Sequence, residues 1–111
     1  MPLFAPDDPR PVHFMGVAGA GMSALALLAR RRGVAVTGCD RDAEGAGGAS
    51  SSADVRRAGG VVVGGHDPRH LDGARAVVVS SAVPSDHPEL ERARELGLPI
   101  VRRAEALAAA I

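Results

Sequence analysis

Val12-His13-Phe14-Met15-Gly16-Val17-Ala18-Gly19-Ala20-Gly21-Met22-Ser23 joins a run of strand formers to a glycine-rich turn and then to the start of a helix-forming run. That order matters physically. Glycine lets the chain reverse tightly and lets a ligand approach the backbone, while the first turn of the helix offers unpaired N–H donors and a partial positive charge. An anion belongs at such a place. The helix end itself is worth about 0.3–1 kcal/mol per anionic group, so hydrogen bonds and desolvation must supply most of any affinity.

Working outward, valine-containing apolar runs alternate with helical segments. Strands are expected at 12–17, 34–39, 60–63, 76–79 and 99–101. Helices are expected at 20–32, about 52–58, 86–96 and 105–111, with a short turn near 68–72. Unbroken runs such as Ala76-Val77-Val78-Val79 lack polar alternation and suit strands covered on both faces, the parallel-sheet case. The fold class is therefore α/β: a Rossmann-like, doubly wound, mostly parallel five-stranded sheet with helices on both faces. Gly33 and Gly97 fall just past two helices as stops, and Asp86-x-x-Glu89 with Pro88 reads as a capping box. Residues 1–11, with Pro2, Pro6, Pro9 and Pro11, form an extended leader before a single domain at 12–111. Residues 43–52 carry glycines and serines without periodicity and read as a mobile loop.

Two phosphate motifs each miss the turn by one residue. Gly16, Ala18 and Gly21 occupy the glycine positions of G-x-G-x-x-G, with alanine where a pyrophosphate comes closest. Gly16 to Ser23 also matches the P-loop pattern except that Met22 stands where lysine must be, so ATP hydrolysis here is rejected. Asp40 ends the second strand about 20 residues beyond the turn, where a carboxylate accepts hydrogen bonds from ribose hydroxyls. The bland alternatives are a close-packed turn without ligand and an aspartate that merely caps a loop.

Composition narrows the field further. The chain has 111 residues, 46% of them apolar, and 13 cationic residues against 13 acidic ones. All of the cations are arginine, which excludes a Schiff-base lysine. With Phe4 and Phe14 as the only aromatics and no net positive charge, nucleic acid is an improbable partner. The single Cys39 makes no internal disulfide, and no apolar run approaches the roughly 20 residues of a membrane span. A cytoplasmic protein is the default expectation. His66-Asp67-Pro68-Arg69-His70 places two histidines four apart, yet spacing shows no third or fourth ligand, and no metal is expected. Ser80-Ser81 lacks a nucleophile elbow. Arg30-Arg31-Arg32 reads as a helix C-terminal cap, and His13 and Cys39 as packed strand residues.

The string from His13 to Ser23 resembles the opening of the Mur ligases, in the branch that joins L-alanine to UDP-N-acetylmuramate, whose pattern is close to H-F-x-G-I-G-G-A-G-M-S. Four later segments are similar in the same order: Thr37-Gly38-Cys39-Asp40, Gly65-His66-Asp67, Val79-Ser80-Ser81-Ala82-Val83-Pro84 and Pro99-Ile100-Val101-Arg102-Arg103-Ala104-Glu105. The resemblance implies the N-terminal, UDP-binding domain of an ATP-dependent ligase of peptidoglycan synthesis. It implies that Gly19, Ala20, Gly21, Met22 and Ser23 receive the UDP pyrophosphate, with Ala18 beside them where the family has glycine. By the same resemblance Asp40 holds the ribose, His66, Ser80, Ser81 and Ala82 border the uridine and sugar, and Arg103 faces the substrate or the next domain. It assigns no catalytic residue and no bound cofactor to this domain. ATP and magnesium are expected in a central domain after Ile111, and the partners are that domain, a C-terminal one and UDP-N-acetylmuramate. Residues 45–50 look longer than the corresponding family loop. Without the resemblance, residues 16 to 40 would slightly favour the alternative, an NAD-binding regulatory or redox domain.

Overall fold

Five short strands form one sheet: β1 (Val12–Met15), β2 (Val36–Asp40), β3 (Val61–Gly64), β4 (Ala76–Val79) and β5 (Ile100–Arg102). Between and after them run the helices α1 (Ala20–Arg31), α2 (Ala49–Arg57), α3 (Pro88–Leu96) and α4 (Arg103–Ala110), and a 3-10 turn at Pro68–Leu71 links β3 to β4. The computed structural model describes residues 7–17, 20–40, 49–65, 67–80 and 83–110. All four strand pairings are parallel, in the order β3-β2-β1-β4-β5. This is the doubly wound α/β sheet expected from the alternation of runs.

Period-two alternation sorts the strand residues onto two cores. Val12 and Phe14 of β1 join Val36, Val62 and Val78 under α1, α2 and α4, through Leu25, Ala26, Ala29, Val55 and Ala106. Met15, Cys39, Val77 and Val79 face the other way, against Leu71 of the 3-10 turn and Leu90 and Ala93 of α3. Every residue of β1 and β4 is buried, which is why their sequences carry no polar alternation. Fully burying one such aliphatic side chain is worth about 1.5–3 kcal/mol.

Several boundaries move, each for a local reason. β1 ends at Met15 rather than at residue 17 because Gly16 takes φ +74°, and both Gly16 N (2.8 Å) and Val17 N (3.2 Å) donate to Cys39 O. β2 begins at Val36 rather than at residue 34, since Val34 N is spent on Ala29 O at the end of α1, 3.1 Å away. α2 starts at Ala49, so the three serines open a helix instead of extending the loop; residues 43–48 of that expected loop lie outside the described residues. Gly33 (φ +81°) and Gly97 (φ +71°) do stop their helices.

Two capping expectations are corrected. The Asp86–Glu89 box does not form: His87 is the N-cap of α3, its Nδ1 accepting from Glu89 N at 3.1 Å, and the Glu89 side chain turns fully inward. Arg30 and Arg31 do lie in the last turn of α1, but Arg30 does not bond the helix's own final carbonyls. It donates to Val34 O (3.0 Å) and Ala58 O (2.9 Å), tying the end of α1 to the segment after α2. For α4, which starts at Arg103 rather than at residue 105, Glu105 reaches back to Arg102 N at 3.3 Å, the acidic half of a capping box.

The last residues of the leader are pinned. Arg75, 4% exposed, donates to Arg10 O and Asp8 O, both at 2.6 Å, while its own amide donates to Pro11 O at 2.8 Å. The Arg10 guanidinium, hydrogen-bonded to Asp8, holds the Asp8 carboxyl down at about 2, with Arg10 N and Arg75 adding to the effect. Residues 7–11 therefore lie along the amino edge of the sheet.

Candidate functional site

The sheet order reverses between β1 and β4. From β1 the chain leaves toward one face through α1, and from β4 it leaves toward the other through α3, so the loops part at the carboxyl ends of these two strands and open a crevice. A cleft of about 300 Å³ lies there, lined by Gly16, Gly21, Met22, Ser80 and Arg103.

Each lining residue arrives for a structural reason. Gly16 turns the chain off β1 with a positive φ that a side chain would strain. Gly21 sits in the first turn of α1, and that turn carries no acidic residue to offset the partial positive charge of its amides. Met22 anchors the turn in the core with 4% exposure. Ser80 follows β4 directly, and Arg103 opens α4 just past β5. A Cβ added to Gly21 would fall 2.8 Å from Arg103 Nη1, so the bare backbone of Gly21 is what lets the guanidinium lie against the helix start. The cleft thus brings amide donors and a cation together, with no carboxylate among its described lining residues, a setting suited to a phosphate or diphosphate group. A second, apolar groove of about 280 Å³ between α1 and α4 shares Gly21 and Arg103 with it and adds Ala24, Leu25, Leu28 and Leu107.

Of the residues singled out in the sequence, Gly21, Met22, Ser80 and Arg103 converge on this cleft. Ala20 opens α1 and Asp40 closes β2, at the same carboxyl edge. Ser23 lies one step into α1, buried and engaged within the protein, and does not line the cleft. Ala18, Gly19, His66, Ser81 and Ala82 lie outside the described residues. Beside His66, Asp67 caps the 3-10 turn by accepting from Arg69 N at 2.9 Å, and the Arg69 guanidinium holds its carboxyl down at about 2.

Sequence spacing missed a second group altogether. His13, Cys39, His70 and Glu89 meet on the α3 face of the sheet, with donor atoms all within 4.8 Å of one another. They come from β1, β2, the 3-10 turn and α3, so no single segment displays them. The available signal was the parity of His13 and Cys39, which lie at even spacing from residues of the same strand face.

Comparison with known proteins agrees with this geometry. The model for "Mur ligase family, catalytic domain" matches residues 11–111. A UDP-N-acetylmuramate--L-alanine ligase of Symbiobacterium thermophilum is 46% identical over 99 residues, covering 89% of this chain and 20% of that protein. The enzyme of the same name from Streptomyces avermitilis is 48% identical over 98 residues, covering 86% of this chain and 20% of its own length. Among solved structures, the UDP-N-acetylmuramate-alanine ligase of Thermotoga maritima superposes with a TM-score of 0.77 at 30% identity, over 87% of this chain and 21% of that one. A murein peptide ligase of Psychrobacter arcticus gives 0.79 at 30% identity, over 89% and 20%. The chain spans about a fifth of the length of the curated relatives it matches. These matches do not favour the NAD-binding alternative; the cleft, the sheet order and the family match agree that the chain belongs to the Mur ligase family.

Proposed function

We propose that this chain is the UDP-N-acetylmuramate-binding domain of an ATP-dependent ligase that adds L-alanine to UDP-N-acetylmuramate in peptidoglycan synthesis. The observation that carries the reading is the cleft at the β1/β4 crevice, where the first turn of α1 and the Arg103 guanidinium converge. A diphosphate there receives backbone N–H groups of residues 19–22 and one charge-assisted partner in Arg103. The uridine extends toward Asp40 and His66, the ribose resting on Asp40. The sugar extends toward residues 80–82. Ser23, buried in the first turn of α1, supports that turn beneath the phosphates.

This chain's share of the chemistry is to hold the substrate so that its carboxylate projects toward a neighbouring domain. That domain would supply ATP and magnesium, the γ-phosphoryl group passing to the carboxylate with release of ADP, so that the amine of L-alanine could displace phosphate from the activated carboxyl. No residue of the cleft is assigned a catalytic role. The relatives named from sequence above are L-alanine ligases, whereas one similar structure is a murein peptide ligase, so the donor is chosen outside this domain. The partners are the central and C-terminal domains of the same ligase, and the setting is the cytoplasm, where UDP-sugars and ATP are made. Among the described residues no helix is long and apolar enough to cross a membrane.

Calorimetric titration of the chain with UDP-N-acetylmuramate, UDP, NAD and ATP tests the reading. Binding of both uridine compounds, weakened by salt, with no response to NAD and no ATP turnover is the expected result. Tight NAD binding without a response to uridine nucleotides overturns it.

A further inference from the structure

On the sheet face away from α1, four potential metal donors share one buried site. The parallel register pairs His13 with Thr37, and the two-residue period brings Cys39 onto the same face. α3 supplies Glu89 from above, and the 3-10 turn supplies His70 from the side. Cys39 and Glu89 are fully buried and His13 is 1% exposed. His70 is half-buried, yet its Nδ1 is shielded from solvent and makes no hydrogen bond.

We propose that His13 Nε2, Cys39 Sγ, His70 Nδ1 and a Glu89 carboxylate oxygen form a closed, structural site for one divalent cation of the zinc class. Metal–donor bonds of about 2.0–2.3 Å in a tetrahedron place donors about 3.3–3.6 Å apart. His13 Nε2 lies 3.3 Å from both Cys39 Sγ and Glu89 Oε1, Cys39 Sγ lies 3.2 Å from Glu89 Oε1, and His70 Nδ1 lies 3.6 Å from Glu89 Oε2. All four donor atoms fall within 4.8 Å of one another, so a small inward movement of His70 completes the cage.

The surroundings fit a cation as well. His13 Nδ1 lies 2.8 Å from Thr37 Oγ1; with Nδ1–H donating there, Nε2 turns its lone pair toward the thiol and the carboxylate. Asp67 N donates to Glu89 Oε2 at 3.0 Å and fixes the carboxylate's orientation. Such outer partners are how proteins aim imidazole and carboxylate ligands. A thiolate, a carboxylate and two neutral imidazoles carry a charge of −2, which a divalent ion cancels. Without one, a fully buried carboxylate must share protons with its neighbours at a desolvation cost. The mixed nitrogen, sulfur and oxygen set selects zinc over magnesium or calcium, which take oxygen ligands. The loss of the Cys39 thiol proton and the choice of neutral imidazole make binding release protons to the buffer.

The test is metal analysis of the purified chain, followed by chelation and titration with Zn²⁺ and Co²⁺. One zinc per chain is expected, together with a higher melting temperature on zinc addition. The Co²⁺ form is expected to show intense visible bands of four-coordinate cobalt and a near-ultraviolet sulfur-to-cobalt band. His70→Asn should weaken Zn²⁺ binding at least tenfold while leaving the apo melting temperature nearly unchanged, because His70 reaches the surface and its Nδ1 makes no hydrogen bond. Cys39→Ser should remove the near-ultraviolet band; if that variant fails to fold, the His70→Asn comparison still decides. A wild-type chain that holds no zinc and gives the spectrum of hydrated Co²⁺ overturns the site. So does zinc binding that is unchanged in His70→Asn.

Discussion

Gly21 shows how much one absent side chain does. Its missing Cβ leaves room for the Arg103 guanidinium against the first turn of α1, so the same position sets both the backbone donors and the cation of the cleft. Gly21→Val should lower affinity for UDP-N-acetylmuramate at least tenfold in a titration while changing the melting temperature little. The new branch displaces the mobile end of an arginine rather than backbone, and valine is a slightly better helix former than glycine. Unchanged affinity in this variant would place the ligand elsewhere. At this scale the cleft was legible in the residues themselves only at the glycine turn, Gly16 and Gly21, while Met22 and Ser80 came to it through the family resemblance. Arg103 was foreseen only by resemblance, since nothing in Arg-Arg-Ala-Glu announces that α4 returns to α1. Glu89 was misread because its position suits a capping box equally well; only the neighbours that α3 meets decide which way its carboxylate turns.

Among the elements, α3 makes the clearest case for testing an end. With His87 as the N-cap, His87→Ala should cost about 0.5–1 kcal/mol in chemical denaturation, whereas Asp86→Ala, at an exposed turn position, should stay within about 0.5 kcal/mol of the parent. The reverse order of losses would restore the Asp86 cap. The existence and type of every strand and helix could be read from periodicity and glycine stops, and β4 falls where its unbroken valines put it. The ends were harder, since they depend on bonds that cross between segments. Val34 N serves α1 rather than the β2 ladder, and the opening of α2 is written in serines, which favour helix starts and loops alike.

For the molecule as a whole, acid is an informative probe. The Asp8 and Asp67 carboxyls are both held at about 2 against an ordinary 3.8, chiefly by hydrogen bonds from Arg10 and Arg69. Depressed carboxyl values in the folded state mean that this contribution is complete above about pH 5 and is lost progressively as the pH falls toward 2. Melting temperatures recorded from pH 7 to pH 2 should hold until about pH 5 and then drop. A chain carrying both Asp8→Asn and Asp67→Asn should start lower and drop less steeply. Identical slopes for the two chains would remove the arginine pairs from the account. The difference should shrink in high salt, because both pairs meet solvent.

The clamp of Arg75 on Asp8 and Arg10 carries a practical corollary. It fastens the front of the polypeptide to the rim of the sheet opposite the crevice, with the length of β1, about 13 Å at strand spacing, in between. A chip surface or fluorescent label coupled at the exposed Asp7 would therefore sit behind the molecule and leave the mouth of the crevice turned toward the bulk solution.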